Sequence, residues 1–222
     1  MDTIQLNKVA HSNLVLSLIG QPESVAGKIG GALELDGSSQ FMSLEGQSEN
    51  CLGNLDFCRH GVLLSAWIKP GELLNGMDLL STGANGLKMW YEDGKLKVSA
   101  RTSTREWNVE TEELALDLWQ FVEIAWDERF GLAFYIFHKL VAFSPKPTLP
   151  AEDVFGSSRD REQFYIGRGD GTRRNAMYGI LTIDDVEYWY ANRQYLLAFD
   201  YIQRGGFWCK IILLTKKVQL NS

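Results

Sequence analysis

Short segments in which apolar and polar residues alternate dominate the chain. Clusters of Gly, Asp and Asn separate these segments roughly every 8 to 12 residues, which is typical of an all-β sandwich or barrel. Because alternation places every second side chain on the same face of a strand, each segment has one apolar face to bury. The pattern predicts a two-sheet antiparallel jelly-roll sandwich of about 12 to 14 strands.

Three segments give the clearest local predictions. The stretch VLLSAWIKP, Val62 to Pro70, is apolar on both faces, which predicts a strand covered on both sides. Asp93-Gly94 supplies the positive-φ residues of a hairpin turn between two alternating segments. The stretch LAFYIFHKLVAF, 132–143, is predicted as one strand that returns beside the strand at 119–127.

The C-terminal part of the chain has a different pattern. The stretch NRQYLLAFDYIQRGG, 192–206, predicts one short helix with Asn192 as its N-cap and two glycines at its end. From Phe207 onward the composition changes again, so we expect either an extra edge strand or sequence outside the domain proper. The predicted organisation is a jelly-roll domain over 1–206 and a C-terminal tail or edge strand over 207–222.

Composition fits one ordinary globular domain. The chain has 222 residues, of which 45% are hydrophobic and 23% charged. A net charge of −6 and a pI of about 5.2 describe a surface that repels phosphate backbones, so nucleic acid is not an expected partner. No apolar run approaches the roughly 18 residues of a membrane span. The N-terminus predicts no secretory signal, which leaves an intracellular protein or one piece of a longer secreted or surface protein.

The chain contains three cysteines, and two of them lie close together. Cys51 and Cys58 are separated by six residues with a turn signal, a spacing that fits a small disulfide loop or two unpaired thiols. A zinc site is not expected, because no second Cys/His pair at ligand spacing accompanies them. Cys209 lies among apolar residues and is expected to be a buried or free thiol.

Four stretches resemble one family in their order along the chain. GKIGGALELDGSSQFMSLEG, VLLSAWIKPGELLNGMDLLSTG, GLKMWYEDGKLKVSA and FYIGRGDGTRRNAMYGILTIDDVEYWY are similar to laminin G-like domains of the concanavalin A-like jelly-roll superfamily. The resemblance runs from about Gly27 to Tyr190, and the last stretch departs from the family pattern at Leu181 and Thr182. It implies the same jelly-roll fold and a disulfide between Cys51 and Cys58.

The sequence gives little support to catalysis. A glycosidase of this fold would carry a pair of carboxylates flanking the scissile bond. Glu34 and Asp36 are present, but Ser39 stands where a second Glu would be needed. Asp185 and Glu187 are expected to share a strand face, and solvated strand-end carboxylates explain them equally well. No Gly-x-Ser-x-Gly elbow is present, so we expect a protein that is not an enzyme.

Calcium is the cofactor that the resemblance implies, bound by carboxylates in loops or at strand ends. Asp36, Asp170 and Asp185 are the candidate ligands, although each also fits the role of a turn stabiliser. Aromatic side chains near hairpin ends are the candidate carbohydrate platform, and the core is the alternative place for each of them. The predicted ligand-binding residues are Arg168, Asp170, Trp90, Tyr91 and Trp107.

Arg168-Gly169-Asp170 matches a known cell-adhesion tripeptide. It follows the strand end Phe-Tyr-Ile and precedes a polar stretch, so it is predicted to begin a surface connection in which Gly169 and Gly171 are free to take positive φ. The turn explains the first two residues without any receptor. Adhesion through this tripeptide is the alternative.

These observations favour a non-catalytic extracellular or cell-surface recognition or adhesion module that is part of a longer multidomain protein. Its expected partner is a protein or a glycan, with calcium as the implied cofactor. A divergent glycoside hydrolase of the same fold is one alternative. A domain from a truncated isoform with no ligand of its own is the other.

Overall fold

The structure is a computed structural model of the chain. It describes residues 16–44, 49–58, 61–112, 114–150, 164–169, 177–190 and 209–212. The predicted helix at 192–206 and the calcium candidate Asp170 lie outside these residues.

The described residues form sixteen strands and one short 3-10 helix, Leu55–Phe57. The strands are β1 Leu16–Ile19, β2 Glu23–Ala26, β3 Gly31–Asp36, β4 Phe41–Leu44, β5 Val62–Pro70, β6 Met77–Ser81, β7 Leu87–Glu92, β8 Lys95–Arg101, β9 Glu106–Thr111, β10 Gln120–Asp127, β11 Gly131–Ile136, β12 Lys139–Ser144, β13 Phe164–Ile166, β14 Met177–Tyr178, β15 Ile180–Tyr190 and β16 Cys209–Ile212.

Two sheets make up the sandwich, and almost all of their pairings are antiparallel. The first, here called sheet A, has the strand order β1-β4-β13-β6-β7-β8-β9, with β14 added in parallel to β6. The second, sheet B, has the order β12-β11-β10-β5-β15-β3-β2, with β16 added to β15. The all-β jelly-roll prediction is confirmed, and the number of strands is larger than the predicted 12 to 14 because several short segments pair separately.

The core lies between the sheets and is built from alternate residues of each strand. β5 occupies the middle of sheet B between β10 and β15, and nearly all of its residues are buried, as its double-sided apolar pattern predicts. Trp107 of sheet A and Trp126 of sheet B meet edge to face across the core, with ring centroids 5.4 Å apart.

A bulge in β15 decides which of its acidic residues face outward. The register against β5 shifts between Asp184 and Glu187. Val186 and Tyr188 therefore both enter the core, whereas Asp184 and Glu187 lie on the outer face of sheet B. The expectation that Asp185 and Glu187 share a strand face is wrong, because the bulge takes up Asp185 with φ 47°.

The segment 132–143 forms a hairpin, although the sequence predicts one strand. β11 and β12 pair with each other through a two-residue turn, Phe137–His138, in which φ is 49° and 62°. This is the geometry of the turns that usually contain Asn-Gly. Phe-His carries no such signal, so alternation alone cannot reveal the turn.

Cys51 and Cys58 form a disulfide, which confirms the pairing that the resemblance implies. The loop they close is tied to sheet B, since the buried Tyr188 hydroxyl donates a hydrogen bond of 2.7 Å to the Cys51 carbonyl. Among the described residues, no helix is long and apolar enough to span a membrane.

Candidate functional site

One row of polar side chains crosses the whole outer face of sheet A. Its members are direct Cα partners on seven successive strands, and on every strand except β1 the member lies on the face opposite to the core residues. At about 4.8 Å between neighbouring strands, the row is about 29 Å long. This polar row consists of Ser17, Ser43, Tyr165, Ser81, Lys88, Ser99 and Asn108.

Most side chains in the middle of the polar row are buried. Ser43, Ser81 and Ser99 are each less than 5% exposed, whereas Asn108 at the end of the row is exposed. The Ser81 hydroxyl accepts a hydrogen bond from the Gly83 amide at 3.3 Å. Tyr165 is buried as well, so the accessible members of the row are the exposed Asn108 and the partly exposed Ser17 and Lys88.

Trp90 and Lys97 are Cα partners beside the polar row, two residues after Lys88 and two residues before Ser99, respectively. The Trp90 indole N–H donates to Glu92 at 3.3 Å, and the Lys97 ammonium contacts the same carboxylate at 3.1 Å. Lys97 also donates to Asp93 at 2.9 Å, and this hydrogen bond raises the pKa of Lys97. These contacts hold a half-buried aromatic ring in place at the border of the row.

Arg168 borders the other half of the polar row. Its guanidinium lies 4.9 Å from the ring centroid of Tyr165 and 5.0 Å from that of Phe41. Phe41 is stacked on Tyr178 in turn, with ring centroids 5.8 Å apart. The structure thus brings two predicted ligand-binding residues, Arg168 and Trp90, to the same face of the sandwich.

The glycine of the Arg-Gly-Asp tripeptide has a steric role. Gly167, not Gly169, takes positive φ, at 78°. Gly169 lies against the Asp78 side chain, and a Cβ at position 169 would overlap that carboxylate. Gly169 therefore does not use its freedom to take positive φ, and close packing is what requires glycine there.

Two of the predicted platform residues lie elsewhere. Tyr91 is a neighbour of Trp90 in sequence, so it points to the opposite face of β7, where it is partly buried. Trp107 has no exposed surface and packs against Trp126. Because a buried ring offers no face to a ligand, Trp107 is a core residue, and Trp90 alone of the three stands beside the polar row.

Asp36 caps the turn that follows β3. Its carboxylate accepts hydrogen bonds from the Ser38 amide at 2.9 Å, the Ser38 hydroxyl at 2.8 Å and the Ser39 amide at 3.4 Å. The bonds from Ser38, with a smaller one from Ser39, lower the pKa of Asp36. The arrangement is that of a turn stabiliser.

Asp36 and Asp185 do not belong to one metal site. Asp36 is the Cα partner of Ile180, and Asp185 lies five residues further along the same strand, which is about 16 Å away. Within the described ranges, no three His, Cys, Asp or Glu side chains come close enough together to hold a metal ion. The two described calcium candidates therefore do not fit a shared cation.

The outer face of sheet B carries an aromatic cluster that the sequence analysis did not single out. Trp67 contacts Phe121 and Phe137, with ring centroids 5.3 and 5.9 Å apart. His138 contacts Phe121 at 5.1 Å. These four residues, here called the Trp67 cluster, come from β5, β10 and the turn between β11 and β12. The sequence does not reveal the positive-φ turn at Phe137–His138, and this turn folds the rings of both residues back over the sheet.

A buried carboxylate lies next to the Trp67 cluster. Glu123 is 4% exposed, and its carboxylate is 2.9 Å from His138 Nδ1. Burial raises the pKa of Glu123, and the charge and hydrogen bond of His138 oppose part of that rise. Glu123 and Glu187 are both Cα partners of Ser65, which places their backbones about 10 Å apart on one face.

No protein-family model matches the chain, and no curated protein matches it either. Solved structures do match in fold. One is the receptor-binding domain of botulinum neurotoxin C/D mosaic serotype, with a TM-score of 0.53 and 16% identity over 79% of this chain and 43% of that one. The binding domain of botulinum neurotoxin DC in complex with SialylT matches with a TM-score of 0.55 and 15% identity, at the same coverage.

A third similar structure is a domain of an extracellular enzyme. Domain 4 of AbnA, a GH43 arabinanase from Geobacillus stearothermophilus solved with arabinotriose, has a TM-score of 0.51 and 17% identity over 78% of this chain and 76% of that one. The chain spans less than half the length of the matched toxin domains. At these identities the likeness shows the jelly-roll fold alone.

Proposed function

We propose that the chain is a non-catalytic recognition module of the laminin G-like type that binds a glycan along the polar row of sheet A. The observation that carries the proposal is that the accessible members of the row, Lys88 and Asn108, share the outer face of sheet A with Trp90 and Arg168. A ligand site of this kind combines a few placed polar groups with an aromatic face. Trp90 and Arg168 at its borders would supply an apolar ring and a planar set of donors.

The comparisons support a binding role of this kind. One matched toxin binding domain was solved with SialylT and another with rat synaptotagmin II, and the matched arabinanase domain was solved with arabinotriose. Proteins of this fold therefore include binders of glycans and of proteins. The polar row favours a glycan, because a protein interface would be expected to have an apolar centre.

We propose an extracellular or cell-surface setting, as part of a longer protein. The Cys51–Cys58 disulfide supports it, since such bonds persist in oxidising compartments. Calcium remains part of the proposal as a cofactor to be tested, with Asp170 as the candidate ligand outside the described residues. Asp36 and Asp185 are too far apart to complete one site with each other.

One observation favours hydrolysis as the second candidate function. Glu123 and Glu187 flank Ser65 on the outer face of sheet B, so two carboxylates share one face, as a glycosidase pair requires. Glu123 is buried beside His138. Its burial opposes this role, because a substrate would have to reach the Glu123 carboxylate. Reducing-sugar release from any glycan that binds tests it directly.

The proposal is tested by screening the protein on a glycan array, with calcium and with a chelator, followed by affinity measurements on the best glycan. Trp90→Leu is expected to weaken binding about tenfold, and Asn108→Ala a fewfold, because each removes one accessible part of the surface. Phe143→Leu is the matched control, since Phe143 is an exposed aromatic residue on an edge strand of sheet B.

The outcomes separate the alternatives. Loss of binding in Trp90→Leu with retention in Phe143→Leu supports the polar row as the site. Glycan binding that survives both substitutions places the site elsewhere and overturns the proposal. Binding to proteins but to no glycan overturns the glycan assignment, and sugar release points to the second candidate function.

A further inference from the structure

We infer that the Trp67 cluster is a second binding site, separate from the polar row, and that it takes a small organic ammonium ion. The face of Trp67 would receive the cation, and Phe121 and Phe137 would form apolar walls beside it. This inference goes beyond the glycan-binding proposal and does not depend on it, because the two sites lie on opposite sheets.

A cation of the chain itself already occupies the Trp67 ring. The Lys28 ammonium lies 5.2 Å from the ring centroid. The lysine belongs to the β2–β3 hairpin, whose backbone is fixed independently of the ammonium, because the Ile29 amide donates to Asp184 at 2.7 Å. The ring face is therefore one on which this fold seats a positive charge.

Lys28 is held there weakly. Its side chain is exposed, and it forms no ion pair with any carboxylate in the described part of the chain. An exposed cation–π contact is worth about 0.5–1 kcal/mol, whereas a desolvated one is worth about 2. An external cation that fits the cluster better can therefore displace it at little cost.

The geometry of Phe137 needs an explanation other than stability. A residue with a Cβ in the left-handed region costs roughly 1–2 kcal/mol, and Asn-Gly would make the same turn without that cost. Burial does not repay the cost, since the Phe137 side chain is 53% exposed. Strained residues of this kind cluster at ligand sites, and this one places a ring edge-on against Trp67.

Charge favours a cation over a neutral or anionic ligand. Asp184 is the Cα partner of Trp67 and is 3% exposed, so its carboxylate lies beside the aromatic face in a poorly solvated place. Glu123 lies two residues from Phe121 on the same face. Lys69, the lysine of β5, lies two residues beyond Trp67 and is partly exposed. The ammonium over the Trp67 ring is that of Lys28.

The walls of the cluster select the type of cation. Aromatic rings offer no strong hydrogen-bond acceptors, so a primary ammonium ion loses hydration there without full replacement. A methylated ammonium ion is weakly hydrated, and its methyl groups pack against the rings of Phe121 and Phe137. We therefore expect the preferred ligand to be a quaternary ammonium ion.

The test compares choline with 3,3-dimethylbutan-1-ol, which has the same shape without the charge. Both are titrated into the full chain while the indole N–H signal of Trp67 is followed by NMR. Choline is expected to move the Trp67 signal with a saturable, millimolar dissociation constant, and the neutral alcohol to bind at least about fivefold more weakly. The Trp90 signal on sheet A is expected to stay in place.

Substitutions make the test specific. Lys28→Met is expected to strengthen choline binding severalfold, because it removes the competing internal cation. Lys146→Met removes the same charge from an exposed position away from the cluster, and is expected to leave the affinity unchanged. Phe137→Leu is expected to weaken binding about fivefold, and its exposed position keeps the fold intact.

Two results would overturn the inference. One is equal binding of choline and the neutral alcohol. The other is the absence of saturable choline binding to both the parent protein and Lys28→Met. Glycan binding at the polar row is measured with the same samples, so failure of one proposal does not conceal the state of the other.

Discussion

The ring of Phe137 meets the ring of Trp67 edge to face, with centroids 5.9 Å apart and an angle of 65° between the planes. The two residues belong to β-elements separated by β10, so the contact exists only because a strained turn folds Phe137 back across the sheet. This contact adds little buried apolar surface to the core. Its consequence is an aromatic surface on the outside of sheet B.

Replacing Phe137 by Asn is expected to leave the stability of the protein almost unchanged. Asn tolerates the left-handed conformation, and relief of that strain offsets the lost ring contact, which is worth about 0.5–1.5 kcal/mol. Urea unfolding should therefore give a free energy of unfolding within about 1 kcal/mol of the parent value. A loss of several kcal/mol would mean that Phe137 is retained for stability.

Glu123→Gln is expected to stabilise the protein at neutral pH. The pKa of Glu123 is raised on folding, so the folded state binds the proton more tightly and stability falls as the pH rises through that raised pKa. Glutamine cannot ionise, and it keeps an oxygen for His138. Thermal melting should show the variant more stable than the parent at pH 8, with the difference shrinking toward pH 4. A difference that does not change with pH would contradict the assignment.

Gly169→Ala is expected to destabilise the fold by about 1–3 kcal/mol, because the added methyl group overlaps the Asp78 carboxylate. Gly31→Ala is the matched control, since a Cβ there would have no atom within 4 Å and no positive φ to strain it. Chemical denaturation of both variants measures the difference. Equal stabilities of the two variants would show that the structure around position 169 accommodates the added methyl group without cost.

Replacing both Cys51 and Cys58 by Ser is expected to cost about 2 kcal/mol. The disulfide closes a short loop, and most of its effect comes from restricting the unfolded chain. The hydrogen bond from Tyr188 to the Cys51 carbonyl should keep the loop near its place, so the variant is expected to fold. Non-reducing mass spectrometry of native material supplies the companion test, because free thiols at both positions would argue against an oxidising compartment.

The fold class and several strands were accessible from the sequence where local chemistry and tertiary packing agree. The Asp93-Gly94 turn and the double-sided apolar strand Val62–Pro70 both appear as the pattern predicts. A turn that requires positive φ and a long apolar run each allow few alternative local structures, so both are predictable from the sequence. The disulfide required the family resemblance, since spacing alone allowed two free thiols.

The candidate sites were harder to predict because they depend on pairing between distant strands. The polar row joins residues from position 17 to position 165, and no local pattern links them. Trp90, Tyr91 and Trp107 look alike in sequence, yet strand alternation and burial send them to three different places. The bulge after Asp184 likewise reverses which acidic residues face outward.

The most direct test of the glycan-binding account is an NMR titration that follows the indole N–H signals of the seven tryptophans as the best array glycan is added. Trp90 borders the polar row, Trp67 lies on the opposite sheet, and Trp107 and Trp126 are buried. The account predicts that the Trp90 signal moves to saturation while the signals of Trp67, Trp107 and Trp126 stay in place. A saturating glycan that leaves Trp90 unmoved would contradict it.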